Sequence, residues 1–261
     1  MSQTFKATDG TSLGYAIHGD HGPWLVLCHA LLATSAQWAP QIPELSKRFR
    51  VVCIDTRGHG ASEASAPPYD LSLLVDDLEQ VFDYLSIDKA YLLGASMNGL
   101  VVQKFAATYS ERVERLVLAN TTWVYGPETD AGWDKRIEAA KAGQFPAVVG
   151  GTLERFLTRA FRDAKPASLN TLESAMLSVK IPGFIGCCNA LKGADISDVH
   201  QAIKAPTLLV AGESDIATTP DVMRALKERI AGSDLIVLPG AHLCNFENPQ
   251  AFTAAISAFL K

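Results

Sequence analysis

The sequence predicts a doubly wound α/β fold: a mostly parallel sheet flanked by helices and interrupted by a helical insertion. Three observations carry that prediction. Short continuous apolar runs alternate with amphipathic stretches over the first 120 residues and again near the C-terminus. The runs are rich in Val, Ile and Leu and lack polar alternation, as strands buried on both faces require. Between residues 123 and 200 such runs are missing, and the periodicity is helical. Strand–helix–strand alternation implies parallel strands, because each crossover must return the chain to the same sheet edge.

The elements follow in order. Residues 12–18 (SLGYAIH) alternate like a half-buried strand, while 24–28 (WLVLC) and 51–55 (VVCID) are continuous apolar strands. Over 71–85, Leu71, Leu74, Val75, Leu78, Val81 and Phe82 recur at spacings of 3 and 4, the apolar stripe of a helix. A strand at 90–93, a helix at 99–109 and a strand at 113–119 (VERLVLA) complete the first half. GWDKRIEAAKAG, LERFLTRAF and ASLNTLESAMLS then supply helix formers with apolar residues three and four apart. The rhythm resumes with a strand at 207–211, a helix at 220–230, a strand at 235–238 and a closing helix at 249–260. The expected division is a core of residues 1–122 and 201–261, with residues 123–200 forming a helical cap over the sheet.

Composition excludes several classes of function. Of 261 residues, 48% are hydrophobic and 20% charged, enough apolar material for a sizeable core and too much for a disordered chain. Lys and Arg number 23 against 28 Asp and Glu, a net charge of −5, so nucleic acid is not an expected partner. No apolar run approaches the roughly 20 residues of a bilayer-spanning helix. The start, MSQTFKATDG, lacks a charged-then-apolar signal pattern, so a soluble cytoplasmic protein without membrane contact is expected. The five cysteines (Cys28, Cys53, Cys187, Cys188 and Cys244) include no CxxC and read as reduced structural thiols, with no metal site.

The chemical signal is centred on Tyr91-Leu-Leu-Gly94-Ala95-Ser96-Met97-Asn98-Gly99. A buried strand runs into a glycine, then a serine, then a helix. That is the context of a nucleophile elbow, whose tight turn exposes the serine hydroxyl above the sheet. The pattern G-x-S-x-G expects a glycine where Asn98 stands, and Gly99 falls one place late.

A serine needs a base, and the base needs an orienting acid. Elbow serines are followed in the chain by the acid and then the histidine. Strand 207–211 ends in Gly212-Glu213-Ser214-Asp215, and strand 235–238 leads to Pro239-Gly240-Ala241-His242. Ser96, Asp215 and His242 thus appear in the required order, each after a strand, with Glu213 as the rival acid. His200 follows no strand, His59 lies in a loop, and His18 and His21 precede the first buried strand. The expected oxyanion donors are the N–H groups of Met97 and of Leu31, the latter in the loop after WLVLC. There, Ala30 replaces the usual glycine. Arg57-Gly58-His59-Gly60-Ala61-Ser62 matches no phosphate-binding fingerprint and reads as a tight turn with Asp55 and Arg57 paired locally.

LCHALLATSAQW, VVCIDTRGHGASE, LLGASMNG, LLVAGESDIATTP and PGAHLCNFENP resemble the α/β-hydrolase superfamily across nearly the whole chain. Within it, GWDKRIEAAKAG and GFIGCCNALKGADIS resemble cap segments of the 3-oxoadipate enol-lactonases. The resemblance implies an α/β-hydrolase fold and cofactor-free opening of a small carboxylate-bearing lactone through an acyl-enzyme on Ser96. It also implies carboxylate binding by Trp133 and Arg136 on one helix face, with Trp123 lining the pocket. Two other readings stand beside it: a general carboxylesterase for small esters, and a non-catalytic hydrolase-like binding protein.

Overall fold

In the computed structural model, which describes residues 2–261, eight strands form one sheet in the order β1-β2-β4-β3-β5-β6-β7-β8. They are β1 (Gln3–Lys6), β2 (Ser12–His18), β3 (Trp24–Cys28), β4 (Arg50–Asp55), β5 (Ala90–Ala95), β6 (Val113–Ala119), β7 (Thr207–Gly212) and β8 (Asp234–Leu238). β2 runs antiparallel to both β1 and β4, and every other pairing is parallel.

The helices are α1 (Ile42–Leu45), α2 (Leu71–Tyr84), α3 (Met97–Thr108), α4 (Pro127–Lys141), α5 (Phe145–Phe156), α6 (Arg159–Ala164), α7 (Ala167–Leu177), α8 (Ile181–Leu191), α9 (Pro220–Arg229), α10 (Cys244–Glu247) and α11 (Pro249–Phe259). α3 packs on β5 and β6, α9 on β7 and β8, and α2 against α3. Consecutive residues of the central strands are fully enclosed: Leu25, Val26 and Leu27, Leu92 and Leu93, and Leu116, Val117 and Leu118. Neighbouring strand residues point to opposite faces, so both faces of the sheet are covered. Each such side chain contributes about 1.5–3 kcal/mol by leaving water.

The predicted strands at 12–18, 24–28 and 113–119 have the observed bounds. The others gain a residue or two whose side chains give no apolar signal, such as Arg50, Gly94, Gly212 and Asp234. β1 (QTFK) escapes sequence reading because only Phe5 of its four residues is buried. The segment LERFLTRAF, read as continuous helix, is broken. Leu157 is extended (φ −126°, ψ 143°), and the Thr158 hydroxyl accepts a hydrogen bond from Phe161 N, capping α6.

Five helices, α4 to α8, lie between β6 and β7. Their neck is tied by the Val124–Asp195 bridge, with Ile196 N donating to Trp123 O at 3.0 Å and Tyr125 N to Ala194 O at 2.8 Å. Among the described residues, no single helix is long and apolar enough to cross a membrane. The C-terminal ends of β3, β5, β7 and β8 share one sheet edge, and their loops deliver the residues below.

Candidate active site

Ser96 sits between β5 and α3 at φ 52°, ψ −118°, a conformation that costs a non-glycine residue about 1–3 kcal/mol. Three hydrogen bonds hold it there. Ser96 N donates to Ala119 O (2.9 Å), while Ser96 O accepts from Gly99 N (2.8 Å) and Thr121 Oγ1 (2.7 Å). The turn is so close that a Cβ on Gly94 would overlap Asn98 O, and one on Gly99 would overlap the Thr121 side chain. Gly99 therefore answers a real steric need, against Thr121 just beyond β6 rather than at the usual motif position. α3 begins at Met97, two residues before the predicted start, because helical backbone follows the strained serine directly.

β7 and β8 bring the acid and the imidazole together. A Cβ on Gly212 would overlap Ala241 O, so the two loops touch through glycine. His242 Nε2 lies 2.7 Å from Ser96 Oγ, and His242 Nδ1 lies 2.8 Å from Asp215 Oδ2. Asp215 Oδ2 also accepts from Asn120 Nδ2 and Thr218 Oγ1, both at 2.8 Å. Asp215 Oδ1 accepts from the backbone N–H of Ala217 (2.7 Å) and Thr218 (3.1 Å). Burial alone would push this carboxyl up. The neighbouring His242 charge and the bonds from His242, Asn120 and Thr218 outweigh it and hold the pKa at about 2. The rival acid, Glu213, is exposed. The Phe156 ring covers the imidazole at 4.3 Å between centroids.

The same histidine loop is clasped to the overlying helices. Glu247 accepts from Ala241 N (2.8 Å) and from Thr158 Oγ1 (2.6 Å), and Leu243 N donates to Phe156 O (3.0 Å). The broken helix at Leu157 and Thr158 thus places Phe156 against His242.

The loop after β3 is fixed by two buried histidines. His29 Nε2 accepts from Thr56 N (2.9 Å), and His59 Nε2 accepts from Leu32 N (3.2 Å). Each ring's Nδ1 faces a carbonyl, of Ala30 and Arg57 respectively, so both rings are neutral with the proton on Nδ1. Ala30 N donates to Gln37 Oε1 (2.9 Å), and Ala30 itself is enclosed. Among the described residues, the N–H groups of Leu31 and Met97 have no protein acceptor.

Burial lowers His59 to about 3, helped by the neighbouring His29, and also lowers His18, His29 and His200. His21 is raised, by Asp20. Through the lowered rings the unfolded chain binds more protons than the native one below about pH 6.5, so their contribution to native stability is lost as pH falls through that window, opposed in part by Asp77, which burial raises to about 6. The urea midpoint should be lower at pH 5 than at pH 7, and an unchanged midpoint would show that these rings carry ordinary affinities.

Two sequence readings are corrected here. Arg57 does not pair with Asp55. Its guanidinium meets Asp77 and Asp9, while Asp55 accepts from Ser35 N and Ala61 N. Trp123 does not line the cavity. Its ring lies under the Arg229 guanidinium (5.0 Å) and edge-on to His200, held at the neck of the helical excursion.

Above Ser96 and His242 is a cavity of about 320 Å³. Trp133 and Arg136 line it, as expected for that helix face, and Arg136 lies over the Trp133 ring (5.3 Å). Arg155, Tyr125, Phe156 and Leu191 also line it, and sequence reading missed all four. They come from other elements, so no single-helix periodicity marks them. Among the described residues, neither Arg136 nor Arg155 has a carboxylate partner. Burial and the like charge of Arg155 lower the Arg136 pKa. The indole N–H of Trp133 is buried without an acceptor. The wall thus carries two arginines that form no ion pair, with the Glu128 carboxylate also on the lining.

The five cysteines are free and buried, and burial pushes Cys28, Cys188 and Cys244 up to about 12, so none is a competing nucleophile. No described group of His, Cys, Asp and Glu has the arrangement of a metal site. Chemically, the constellation can move a proton from a serine hydroxyl to an imidazole whose far nitrogen rests on a buried carboxylate.

Residues 23–249 match the sequence profile of the α/β hydrolase fold family. The chain is 33% identical over its full length to 3-oxoadipate enol-lactonase 2 of Acinetobacter baylyi, covering 97% of that protein. Among solved structures, the enol-lactonase from Burkholderia xenovorans LB400 superposes with a TM-score of 0.94 at 35% identity, over 99% of both chains. A malate-bound thermophilic esterase from Thermogutta terrifontis superposes with a TM-score of 0.91 at 26% identity, over 99% of this chain and 98% of that one.

Proposed function

The chain belongs to the α/β-hydrolase fold family, and from that premise we propose that it opens a carboxylate-bearing lactone, of the 3-oxoadipate enol-lactone type, through an acyl-enzyme on Ser96. Ser96 Oγ attacks the lactone carbonyl while His242 Nε2 takes the hydroxyl proton. Asp215 holds the opposite N–H and stabilises the imidazolium. The N–H groups of Met97 and Leu31 receive the negative charge that develops on the carbonyl oxygen. Collapse of the tetrahedral adduct breaks the ring C–O bond, and the leaving oxygen takes the proton from His242. The leaving group stays tethered to the acyl chain. Water then attacks the acyl-enzyme, gives its proton to His242, and frees the acid and the serine.

Arg136 and Trp133 bind the substrate carboxylate, with Arg155 adding charge to the same wall. The observation that carries the lactone reading is this pair of arginines, without carboxylate partners, in the cavity that holds Ser96 and His242. An anion there gains charge-assisted hydrogen bonds from a cation that is already desolvated. The carboxylesterase reading draws on the apolar part of the wall (Leu31, Phe156, Leu191 and Ala217), which suits a small acyl group. A pocket that only bound ligand would gain nothing from a strained serine held against an imidazole, which disfavours the non-catalytic reading. The helices from α4 to α8 act as the cap over this site.

The test is a hydrolysis screen of enol-lactones, simple lactones and short p-nitrophenyl esters, run on the wild type and Arg136→Ala. Losing a charged hydrogen bond of about 1.5–3 kcal/mol should raise KM for the carboxylate-bearing lactone about 10- to 100-fold. The rise for neutral p-nitrophenyl acetate should be at least about tenfold smaller. Equal rises for both substrates would remove Arg136 from the anion site. A preference for neutral esters in the wild type would favour the esterase reading.

A further inference from the structure

Asn98 occupies a place where the elbow pattern expects glycine, and it is 3% exposed. It follows Met97 directly in the first turn of α3. Its Nδ2 donates to His29 O at 2.6 Å and to Thr56 Oγ1 at 2.9 Å. His29 lies two residues before Leu31. One side-chain amide therefore joins the turn that carries Met97 to the loop that carries Leu31. We propose that Asn98 is a positioning residue that sets the separation of the two oxyanion donors, Met97 N–H and Leu31 N–H. The assignment rests on the reading of Ser96 as the nucleophile.

The other supports of the loop do not reach the elbow. Ala30 N is held by Gln37 and Leu32 N by His59, both on the loop's own side. The sheet ladder between β3 and β5 registers the two segments only as far as Cys28 opposite Gly94. Beyond that pair, the Asn98 amide is the hydrogen-bond link between residues 29–34 and 94–99 among the described residues. A void of about 20 Å³, bordered by Asn98, Thr56, Cys28 and Val101, lies beside the Asn98 side chain.

An oxyanion hole works through donors aimed at the tetrahedral oxygen, so a shift of a few tenths of an ångström in one donor lowers kcat and leaves ground-state binding nearly intact. The experiment compares wild type, Asn98→Ala and the near-isosteric Asn98→Asp, whose carboxylate cannot donate to His29 O. Ester hydrolysis, the rate of fluorophosphonate labelling at Ser96 and thermal melting are followed. Asn98→Ala should lower kcat about 10- to 100-fold with KM within about threefold. Phosphonate labelling, which also passes through an anionic adduct, should slow by a similar factor. The pH midpoint of kcat/KM should not move, because the imidazole and carboxylate are untouched. Asn98→Asp should lose at least as much as Asn98→Ala, although it keeps the side-chain shape.

Asn98→Ala with kcat and labelling within about twofold of wild type would overturn the assignment, since even one misplaced donor costs more. So would a loss confined to KM. A wild type unlabelled at Ser96 would remove the nucleophile reading and this assignment with it. A labelled wild type matched by equally fast labelling of Asn98→Ala would remove this assignment alone.

Discussion

Ser96→Ala should reduce turnover by about 10⁴-fold or more and abolish fluorophosphonate labelling, the largest effect expected of any single substitution here. The hydroxyl lies 2.7 Å from His242 Nε2, and the proposed covalent step begins at that oxygen. Removing one oxygen leaves the anion-binding wall and the N–H donors in place, so substrate should still bind and only the acyl-enzyme route should be lost. The fold should survive. The bonds that hold residue 96 in its turn come from its backbone N and O, to Ala119, Gly99 and Thr121, and alanine keeps all three. Mass spectrometry of the probe-treated variant gives the answer directly. An adduct at wild-type stoichiometry would place the nucleophile elsewhere.

Asp215→Asn should lower kcat by about 10⁴-fold, with KM changed by less than about threefold. Five donors converge on this carboxylate, from His242, Asn120, Thr218 Oγ1 and the backbone of Ala217 and Thr218. Every one needs an acceptor, and an amide turns one of the two oxygens into a donor. If that NH₂ faces His242, the ring takes the other tautomer and presents Nε2–H to Ser96, where it cannot accept the serine proton. If it faces the 217–218 turn, two backbone N–H groups lose their partner. With its pKa at about 2, the native carboxylate is ionised throughout neutral and mildly acidic pH, so its protonation should not set the acid limb of activity. Glu213→Gln is the control. Glu213 is exposed, and its removal should change kcat by less than about twofold. A matching loss in Glu213→Gln, or more than about a tenth of wild-type kcat in Asp215→Asn, would reassign the acid.

The parallel strands were readable because burial on both faces leaves an apolar run with no polar interruption. Ser96, Asp215 and His242 were readable as neighbours because each follows a parallel strand, and such strands end on one sheet edge. What depended on contact between distant segments was hidden. Arg57 was expected to use its sequence neighbour Asp55, yet it reaches Asp9 in the β1–β2 turn and Asp77 of α2. The helical period of LERFLTRAF is unbroken on paper, but the Thr158 cap competes with it and wins with help from Glu247. Trp123 stood at the start of the cap, and only the fold shows its ring turned toward Arg229 rather than inward. Asn98 looked like a damaged motif, because its partners lie in other loops.

The Glu247 carboxylate holds the His242 loop with one oxygen and the Thr158 bend with the other. That corner of the roof is bolted to the machinery beneath it. Lifting it would drag the imidazole off the serine, so it cannot be the edge that swings open without disarming the centre. The cavity also reaches Glu128 and Gly132 of α4, which stand open to solvent and which the clasp does not hold.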